Sequence, residues 1–119
     1  MPIPLPHVHA TGDALLKTFA SRLKFCVRKS DIVSRFGGDE FVILLNGISS
    51  KNDASEIAKK IIHKMQEPFK VENTILNITT SIGVTFFADT QVEIESLLNQ
   101  ADQALYASKQ AGRNTFTIM

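Results

Sequence analysis

Residues Ile32–Leu45 have the sequence IVSRFGGDEFVILL, in which two β-rich runs flank the pair Gly37-Gly38. Glycine adopts positive φ at no steric cost, so a Gly-Gly pair between such runs predicts a tight hairpin turn. The unbroken apolar run Phe41–Leu45 predicts a strand that is covered on both faces. We therefore expect a hairpin at the centre of the fold, with two adjacent carboxylates beside its turn.

Three helices are predicted around this hairpin, because apolar residues recur there at steps of three and four. They begin at Thr11, at Asn52-Asp53 and at Thr90, and they end near Val27, before Pro68 and at Gly112. The expected caps are Thr11 or Gly12, the capping box Asp53–Glu56 and the capping box Thr90–Glu93. Charged residues of the first helix, Arg22 among them, are expected to face outward.

The remaining strands complete an α+β pattern. Apolar and small polar residues alternate over Ile78–Phe86, which predicts one strand with one greasy and one small polar face. A turn around Glu72-Asn73 precedes this strand, and Thr115–Ile118 is the last one. The order of elements favours helices packed on one face of a mostly antiparallel sheet, so the predicted class is α+β.

Composition limits the class of function without naming one. The chain has 119 residues, of which 44% are hydrophobic, as expected for one domain with a real core. Its formal net charge of +1 means that neither positive nor negative charge dominates the chain. We therefore expect no contact of this segment with DNA, RNA or a membrane. The single cysteine, Cys26, excludes an intrachain disulfide and favours a reducing, cytoplasmic location.

The hairpin turn is the most informative place for chemistry. Glycines let a ligand's phosphate or sugar approach the backbone. The adjacent carboxylates of Asp39 and Glu40 offer hard oxygen donors that suit Mg²⁺ carrying a nucleoside triphosphate. The same residues also fit a polar hairpin tip whose acids are simply solvated, and composition alone favours that second interpretation.

Four short motifs carry a family resemblance. They are HATGD at His9–Asp13, RFGGDEF at Arg35–Phe41, TSIGV at Thr80–Val84 and ADQALYASKQAGRN at Ala101–Asn114. The second motif resembles the signature of GGDEF domains, the diguanylate cyclases. The others resemble the end of that family's early nucleotide-binding loop, a later strand and its closing helix. Four matches in the family's order are specific, and they outweigh the solvated-tip interpretation.

The resemblance implies a ferredoxin-like, nucleotidyl-cyclase-type domain, in which helices pack on an antiparallel sheet. It implies condensation of two GTP molecules into cyclic di-GMP with release of pyrophosphate, assisted by Mg²⁺ or Mn²⁺. Each protomer holds one GTP in such a reaction, so the resemblance also implies a homodimer or higher self-association. The expected partners are GTP, cyclic di-GMP and a second copy of the chain.

Seven positions take roles that the resemblance implies at the substrate site. Asp39 and Glu40 would be the catalytic acids and metal ligands. Gly37 and Gly38 would make room for the nucleotide, and Asp13 would accept hydrogen bonds from the guanine edge. Lys109 and Arg113 would contact the terminal phosphates of the nucleotide. Without the resemblance, Asp13 is an ordinary acid in the first turn of a helix, and Lys109 and Arg113 are ordinary cations near a helix C-terminus. The helix dipole favours charges of these signs at these ends.

A second site is implied just upstream of the hairpin. The tetrapeptide Arg28-Lys29-Ser30-Asp31 has the form R-x-x-D and stands at the family's inhibitory-site distance from Gly37. There an arginine and an aspartate grip the product, cyclic di-GMP. Arginine offers a planar fork for phosphate or guanine, and aspartate accepts from the base. The spacing alone is common on protein surfaces and carries no weight without the resemblance.

The chain departs from the family pattern before His9. The family opens with a strand and a helix that contribute a further aspartate, a lysine and an asparagine, and nothing in Met1–Val8 resembles them. We therefore expect residues 1–8 to form an extended arm and residues 9–119 to form a partial GGDEF domain, truncated at its N-terminus. We also expect weak or no turnover by this chain alone, and self-association through exposed strand edges.

Two other functions remain open from the sequence. One is a degenerate GGDEF module that binds cyclic di-GMP or GTP and regulates a partner without catalysis. The other is a structural remnant that only dimerises. The acidic turn and the two cations near the C-terminus favour an enzyme, whereas the departure at the N-terminus favours a binding module or a remnant.

Overall fold

The computed structural model describes residues 9–37, 40–48, 50–87 and 93–119, which contain three helices and six strands. The helices are α1 His9–Cys26, α2 Lys51–Met65 and α3 Ile94–Gln110. The strands are β1 Ile32–Gly37, β2 Glu40–Leu44, β3 Phe69–Val71, β4 Thr74–Leu76, β5 Ile82–Val84 and β6 Phe116–Ile118. None of the helices in these ranges has both the length and the apolar composition needed to cross a bilayer.

The described strands pair as three two-stranded sheets. β1 and β2 form the expected antiparallel hairpin, and β3 and β4 form a second hairpin across the predicted turn at Glu72-Asn73. β5 and β6 are parallel, with Ile82 opposite Phe116, because helix α3 connects them as a crossover. Helices combined with mainly antiparallel pairs confirm the predicted α+β class.

Helix α1 supplies the centre of the hydrophobic core. Its apolar stripe is buried as its periodicity predicts, and Phe19 is fully enclosed. The centroid of the Phe19 ring lies 5.2 Å from that of Phe41 in β2 and 6.1 Å from that of Phe69 in β3. One side chain of α1 therefore contacts both antiparallel hairpins. The other buried residues of this core are Leu15, Leu16, Leu23, Cys26, Ile61, Met65, Val71 and Ile78.

The expectation that Arg22 faces outward from α1 is wrong. Its guanidinium carbon lies 3.6 Å from the centroid of the Phe69 ring. The guanidinium also donates hydrogen bonds of 2.6–3.3 Å to three carbonyl oxygens, that of Lys64 in the last turn of α2 and those of Glu67 and Pro68 just after the helix. Arg22 is therefore half-buried and not simply turned to solvent, because its guanidinium packs on Phe69 and joins α1 to the segment that follows α2.

Helix α3 lies close to β5 because Gly83 has no side chain. A Cβ atom at this position would lie 2.2 Å from the carbonyl oxygen of Ala101. The fully buried Ser108 joins the same elements, because its hydroxyl donates to the carbonyl oxygen of Ile82 at 2.8 Å. The hydroxyl oxygen of Thr117 in β6 lies 2.8 Å from the same serine oxygen. α3, β5 and β6 thus form one packed unit.

The predicted cap of α2 is wrong by one turn. The N-cap is Ser50, whose hydroxyl accepts a hydrogen bond of 3.1 Å from the amide of Asp53. Serine in this position satisfies one of the amides that the first turn leaves without a helical partner. The helix therefore begins at Lys51, and the pair Asp53–Glu56 lies inside it and does not form the capping box.

The other two helices also begin at unexpected residues. α1 is already helical at His9, the first described residue, and not only after Thr11, so Asp13 lies beyond the first turn. An existing helix extends at low cost because each added residue forms one more hydrogen bond. α3 begins at Ile94 after the N-cap Glu93, which makes no side-chain capping bond. The capping residue expected there, Thr90, and the predicted arm of residues 1–8 lie outside the described residues.

The predicted strands differ from the observed ones in length. The long strand expected over Ile78–Phe86 is shorter, because β5 pairs with only the three residues of β6. Both faces of β5 are covered, since Ile82 packs against the core and Gly83 against α3. By contrast, β2, which is expected to be covered on both faces, is partly exposed to solvent, and Leu44 is 39% exposed.

Replacement of Gly83 by alanine should strongly destabilise the fold. The new methyl group would meet the backbone of α3, which cannot move without separating the helix from β5. We expect a loss of about 3 kcal/mol in the free energy of unfolding measured with urea. Gly112→Ala is the matched control, because that position has nothing within 4 Å and only its φ of 110° disfavours alanine. Its expected cost is about 1–2 kcal/mol, the penalty of a left-handed backbone conformation for a residue with a Cβ atom, and equal losses in the two variants would contradict the close-approach argument.

Candidate functional site

The β1–β2 hairpin positions the residues of the acidic turn. Gly37 at the end of β1 is the register partner of Glu40 at the start of β2. The register shifts between Arg35 and Gly37, an irregularity that increases the local twist of a strand pair. The Glu40 side chain is exposed, so its carboxylate is available to a ligand. Gly38 and Asp39 lie outside the described residues.

A cleft of about 420 Å³ lies between α1 and this hairpin. Its volume falls within the range of about 300–1,000 Å³ that is usual for small-molecule sites. The packing of α1 on β2 through their phenylalanine rings sets the position of both walls. The lining consists of the apolar residues Leu16, Ala20, Val33 and Phe41 and the charged residues Asp13, Lys17, Lys24 and Arg35.

Two of the charged residues in this cleft do not neutralise each other. Asp13 and Lys17 are both exposed and stand four residues apart on α1. Within the part of the chain that the structure describes, neither has a hydrogen-bond or ion-pair partner. The structure thus places the predicted base-binding aspartate in the same cleft as the hairpin, with no partner for its carboxylate among the described residues.

The predicted phosphate-binding residues Lys109 and Arg113 lie at the end of α3, where backbone hydrogen bonds cap the helix. The amide of Gly112 donates to the carbonyl oxygen of Lys109 at 3.4 Å, and the amide of Arg113 donates to that of Ser108 at 3.0 Å. These two bonds form a Schellman motif, and they confirm Gly112 as the residue that ends the helix. Arg113 and Asn114 have φ values of 63° and 50°, which residues with a side chain rarely adopt. Backbone strain of this kind often marks ligand sites.

Arg28 and Asp31 form a closed cluster between the end of α1 and the end of β2. The guanidinium donates to both carboxylate oxygens, from Nε at 3.3 Å and from Nη2 at 3.2 Å. The amide of Arg28 donates to Asp31 Oδ2 at 2.8 Å, and the amide of Asn46 donates to Oδ1 at 3.2 Å. Arg28 Nη2 also donates to the carbonyl oxygen of Asn46. Four hydrogen bonds therefore converge on a carboxylate that is only 2% exposed.

This hydrogen bonding holds the pKa of Asp31 below its usual value. The main cause is the side-chain hydrogen bond from Arg28; burial opposes it, and backbone hydrogen bonds from Arg28 and Asn46 support it. The Arg28 side chain as a whole is 56% exposed, in contrast to that of Asp31. In this arrangement Asp31 orients Arg28, and Arg28 is the group that can reach a ligand.

The structure brings the predicted site residues together in three groups. They are Asp13 with the hairpin that carries Glu40, Arg28 with Asp31, and Lys109 with Arg113, which share the backbone cap at the end of α3. No hydrogen bond or ion pair between described residues joins the third group to the hairpin. The phosphate-binding roles of that group and the roles of the acidic turn therefore stay predictions.

Several residues of these groups escape prediction from the sequence. Lys17 lines the cleft, and its i, i+4 spacing from Asp13 on one helix is a signal that could find it. Asn46 completes the cluster around Asp31, but the two residues are 15 apart in the chain and no local pattern connects them. The inward position of Ser108 follows from the periodicity of the third helix, but the elements that its hydroxyl joins do not.

Comparison with known proteins supports the family resemblance that the four sequence motifs indicate. The family model for the diguanylate cyclase GGDEF domain matches residues 8–115. Diguanylate cyclase A of Treponema denticola is 37% identical over 111 residues, which are 92% of this chain and 30% of that protein. The structure of the GGDEF domain of TpbB (YfiN) from Pseudomonas aeruginosa has a TM-score of 0.84 at 36% identity, and the match covers 92% of this chain and 64% of that one. The GGDEF domain of DgcB from Caulobacter crescentus, solved in complex with c-di-GMP, has a TM-score of 0.80 at 27% identity, and the match covers 92% and 66%.

These matches first define the fold class of the chain. It is an α+β domain with the nucleotidyl-cyclase-like fold of its structural neighbours. Within that class, the chain belongs to the GGDEF domain family. This confirms the resemblance seen in the four sequence motifs. The chain spans 13% to 30% of the lengths of the curated relatives that it matches.

Replacement of Asp31 by asparagine should remove an acid-dependent part of the folding free energy. Because the folded-state pKa of Asp31 is lowered, its contribution to stability is complete above the usual aspartate pKa of about 3.9. The contribution is lost as the pH falls from there through the folded-state pKa. Urea unfolding between about pH 5 and pH 2 should therefore show a steeper loss of stability for the wild type than for Asp31→Asn.

Arg28→Met provides the companion measurement, because it removes the main cause of the lowered pKa. This variant should also lose stability less steeply with acid than the wild type does. The same pH profile in the wild type and both variants would show that the cluster does not contribute as the geometry indicates.

Proposed function

We propose that this chain binds GTP and condenses two GTP molecules into cyclic di-GMP and pyrophosphate in the presence of Mg²⁺ or Mn²⁺. Membership of the GGDEF family and relatives named diguanylate cyclases at 36% and 37% identity support the proposal. The observation that carries it is the cleft in which Asp13 faces the hairpin of the GGDEF signature.

The cleft suits the guanine base of a nucleotide. Apolar side chains such as Leu16 and Phe41 offer surface for the faces of a planar ring. The exposed carboxylate of Asp13 can accept two hydrogen bonds, from N1–H and from the 2-amino group. Adenine has no such pair of donors on this edge, so a carboxylate here favours guanine.

The proposed reaction needs two copies of the domain. The 3′-hydroxyl oxygen of one GTP attacks the α-phosphorus of the other, and a new P–O bond forms. The bond to pyrophosphate breaks, and the hydroxyl proton passes to a base or to solvent. The same exchange in the opposite direction closes the ring and releases a second pyrophosphate. Because each domain holds one GTP, a homodimer with facing sites is part of the proposal.

Asp39 and Glu40 are the residues proposed to hold the metal ion. Glu40 has the hard oxygen chemistry that Mg²⁺ prefers, and Asp39 precedes it in the sequence. Mg²⁺ usually binds one or two carboxylates together with substrate phosphates, which suits two adjacent acids. Among the described residues, which omit Asp39, no group of three His, Cys, Asp or Glu side chains is arranged to hold a metal ion. When bound, the ion would neutralise phosphate charge and acidify the attacking hydroxyl.

Lys109 and Arg113 are proposed to contact the terminal phosphates. Lys109 is half-buried in the last turn of α3, and the Schellman cap fixes the backbone of Arg113 beside it. Two cations held this way would complement the charge of a triphosphate, and arginine can bind it through two parallel hydrogen bonds.

The protein incubated with GTP and MgCl₂ should yield cyclic di-GMP and pyrophosphate, measured by chromatography. The expected turnover is slow, so the assay uses protein in excess of nucleotide. Asp39→Asn and Glu40→Gln should each reduce the rate by at least about 100-fold, because each removes a carboxylate from the proposed metal site. Glu56→Gln, an exposed acid on α2, is the matched control and should behave as the wild type. If neither product nor GTP binding is detected, the cyclase proposal is wrong.

A second proposed function is the binding of cyclic di-GMP without catalysis, for regulation. The partly exposed side chain of Arg28, oriented by Asp31, is the observation that favours it. Arginine donates to phosphate oxygens and to the O6 and N7 atoms of guanine, both of which cyclic di-GMP contains. The related domain of DgcB, solved in complex with c-di-GMP, supports this proposal.

Replacement of Arg28 by alanine should weaken cyclic di-GMP binding by at least about tenfold in calorimetric titrations, because charge-assisted hydrogen bonds are lost. Arg28→Lys should bind at an intermediate level, since it keeps the charge and loses the planar fork. Lys29→Ala removes a neighbouring exposed cation and is the matched control. Wild-type affinity in Arg28→Ala would exclude Arg28 from the product site.

A further inference from the structure

We propose that Lys17 donates a hydrogen bond to the O6 oxygen of the bound guanine and so completes the recognition begun by Asp13. This inference rests on the proposed function, in which guanine occupies the cleft between α1 and the β1–β2 hairpin. It adds a specificity-determining residue to that site.

The chemistry of the guanine edge requires a donor beside the carboxylate. The 2-amino group and N1–H donate hydrogen bonds, and the adjacent O6 accepts them. An ionised aspartate is an acceptor only, so Asp13 can satisfy the first two groups and not the third. An O6 oxygen removed from water without a new donor would weaken binding.

The position of Lys17 on α1 distinguishes it from the other cations of the cleft. Lys17 is four residues from Asp13, about 6 Å along the helix axis and on the same face. Lys24 is eleven residues away, which corresponds to about 16 Å along the axis. Arg35 lies on β1 and already has an interaction of its own.

The direction of the side chain and its freedom support the same assignment. Helical side chains lean toward the N-terminus, so the stem of Lys17 extends back toward the turn that carries Asp13. Both side chains line the cleft, and neither has a partner among the residues that the structure describes. An ammonium group has three donors and no acceptor. It therefore favours the O6 of guanine and disfavours adenine, which presents an amino group at the equivalent place.

Equilibrium binding of GTP, ITP and 6-thio-GTP to the full chain tests the assignment. Calorimetric titrations use Ca²⁺ in place of Mg²⁺, because Ca²⁺ accepts oxygen ligands in a looser geometry that disfavours turnover. ITP lacks the 2-amino group that Asp13 contacts and keeps O6. 6-Thio-GTP keeps both donors and replaces O6 by sulfur, a weaker acceptor. The wild type should bind GTP about tenfold more tightly than either analogue.

Lys17→Met keeps the stem of the side chain and removes the donor. It should weaken the binding of both GTP and ITP by about tenfold and abolish the preference for GTP over 6-thio-GTP. The preference for GTP over ITP should persist, because that contact belongs to Asp13. Lys17→Arg should retain the wild-type order of the three nucleotides. Lys60→Met, an exposed lysine of α2, is the matched control and should also retain it.

The outcomes separate this inference from the proposed function. If Lys17→Met still prefers GTP to 6-thio-GTP as the wild type does, Lys17 does not contact O6, although GTP binding stands. The same conclusion follows if Lys24→Met, and not Lys17→Met, loses that preference. If the wild type binds no GTP, the proposed function is wrong and the inference fails with it.

Discussion

The burial of Phe19 is the interaction on which the rest of the structure depends. Its ring lies between α1 and two hairpins, in contact with Phe41 on one and Phe69 on the other. Loss of a ring in such a position typically costs about 3–5 kcal/mol, a large part of the stability of a domain this size. The contact with Phe41 also fixes the distance between α1 and β2, and the cleft that contains Asp13 exists because of that distance.

A second packing unit forms at the other end of the chain and obeys a different constraint. α3 and β5 approach so closely at Gly83 that their separation depends on the absence of one methyl group. The hydroxyl of Ser108 donates a hydrogen bond to the carbonyl oxygen of Ile82 within this unit. The carbonyl oxygen of Ser108 accepts the hydrogen bond from the amide of Arg113 that caps the helix. Packing in this unit therefore sets the backbone of the proposed phosphate-binding arginine, Arg113. Packing around α1 sets the position of the proposed base-binding aspartate, Asp13.

The sequence predicts the elements of this fold better than their junctions. Periodicity finds all three helices, and the glycine pair finds the first hairpin, because these signals are local. The cap of α2 is predicted wrongly because two nearby residues, Ser50 and Asp53, can both cap a helix, and only the path of the chain decides between them. Arg22 is misplaced because its partners are 42 to 46 residues away. At the site, the motifs identify Asp13 and Arg28, while Lys17 requires knowledge of which helix face meets the hairpin.

Two aspartates near cations illustrate how structure separates a supporting role from a recognition role. Asp31 accepts four hydrogen bonds from its own chain and is almost completely buried, so a ligand would have to break bonds already made. Asp13 is exposed and has no partner among the described residues, so a ligand that donates to it replaces only water. Hydrogen bonds exchanged for water contribute about 1 kcal/mol each, whereas leaving a buried charged group unpaired costs considerably more. The physical consequence is that Asp31 is suited to orient Arg28, whereas Asp13 is placed to contact a ligand directly.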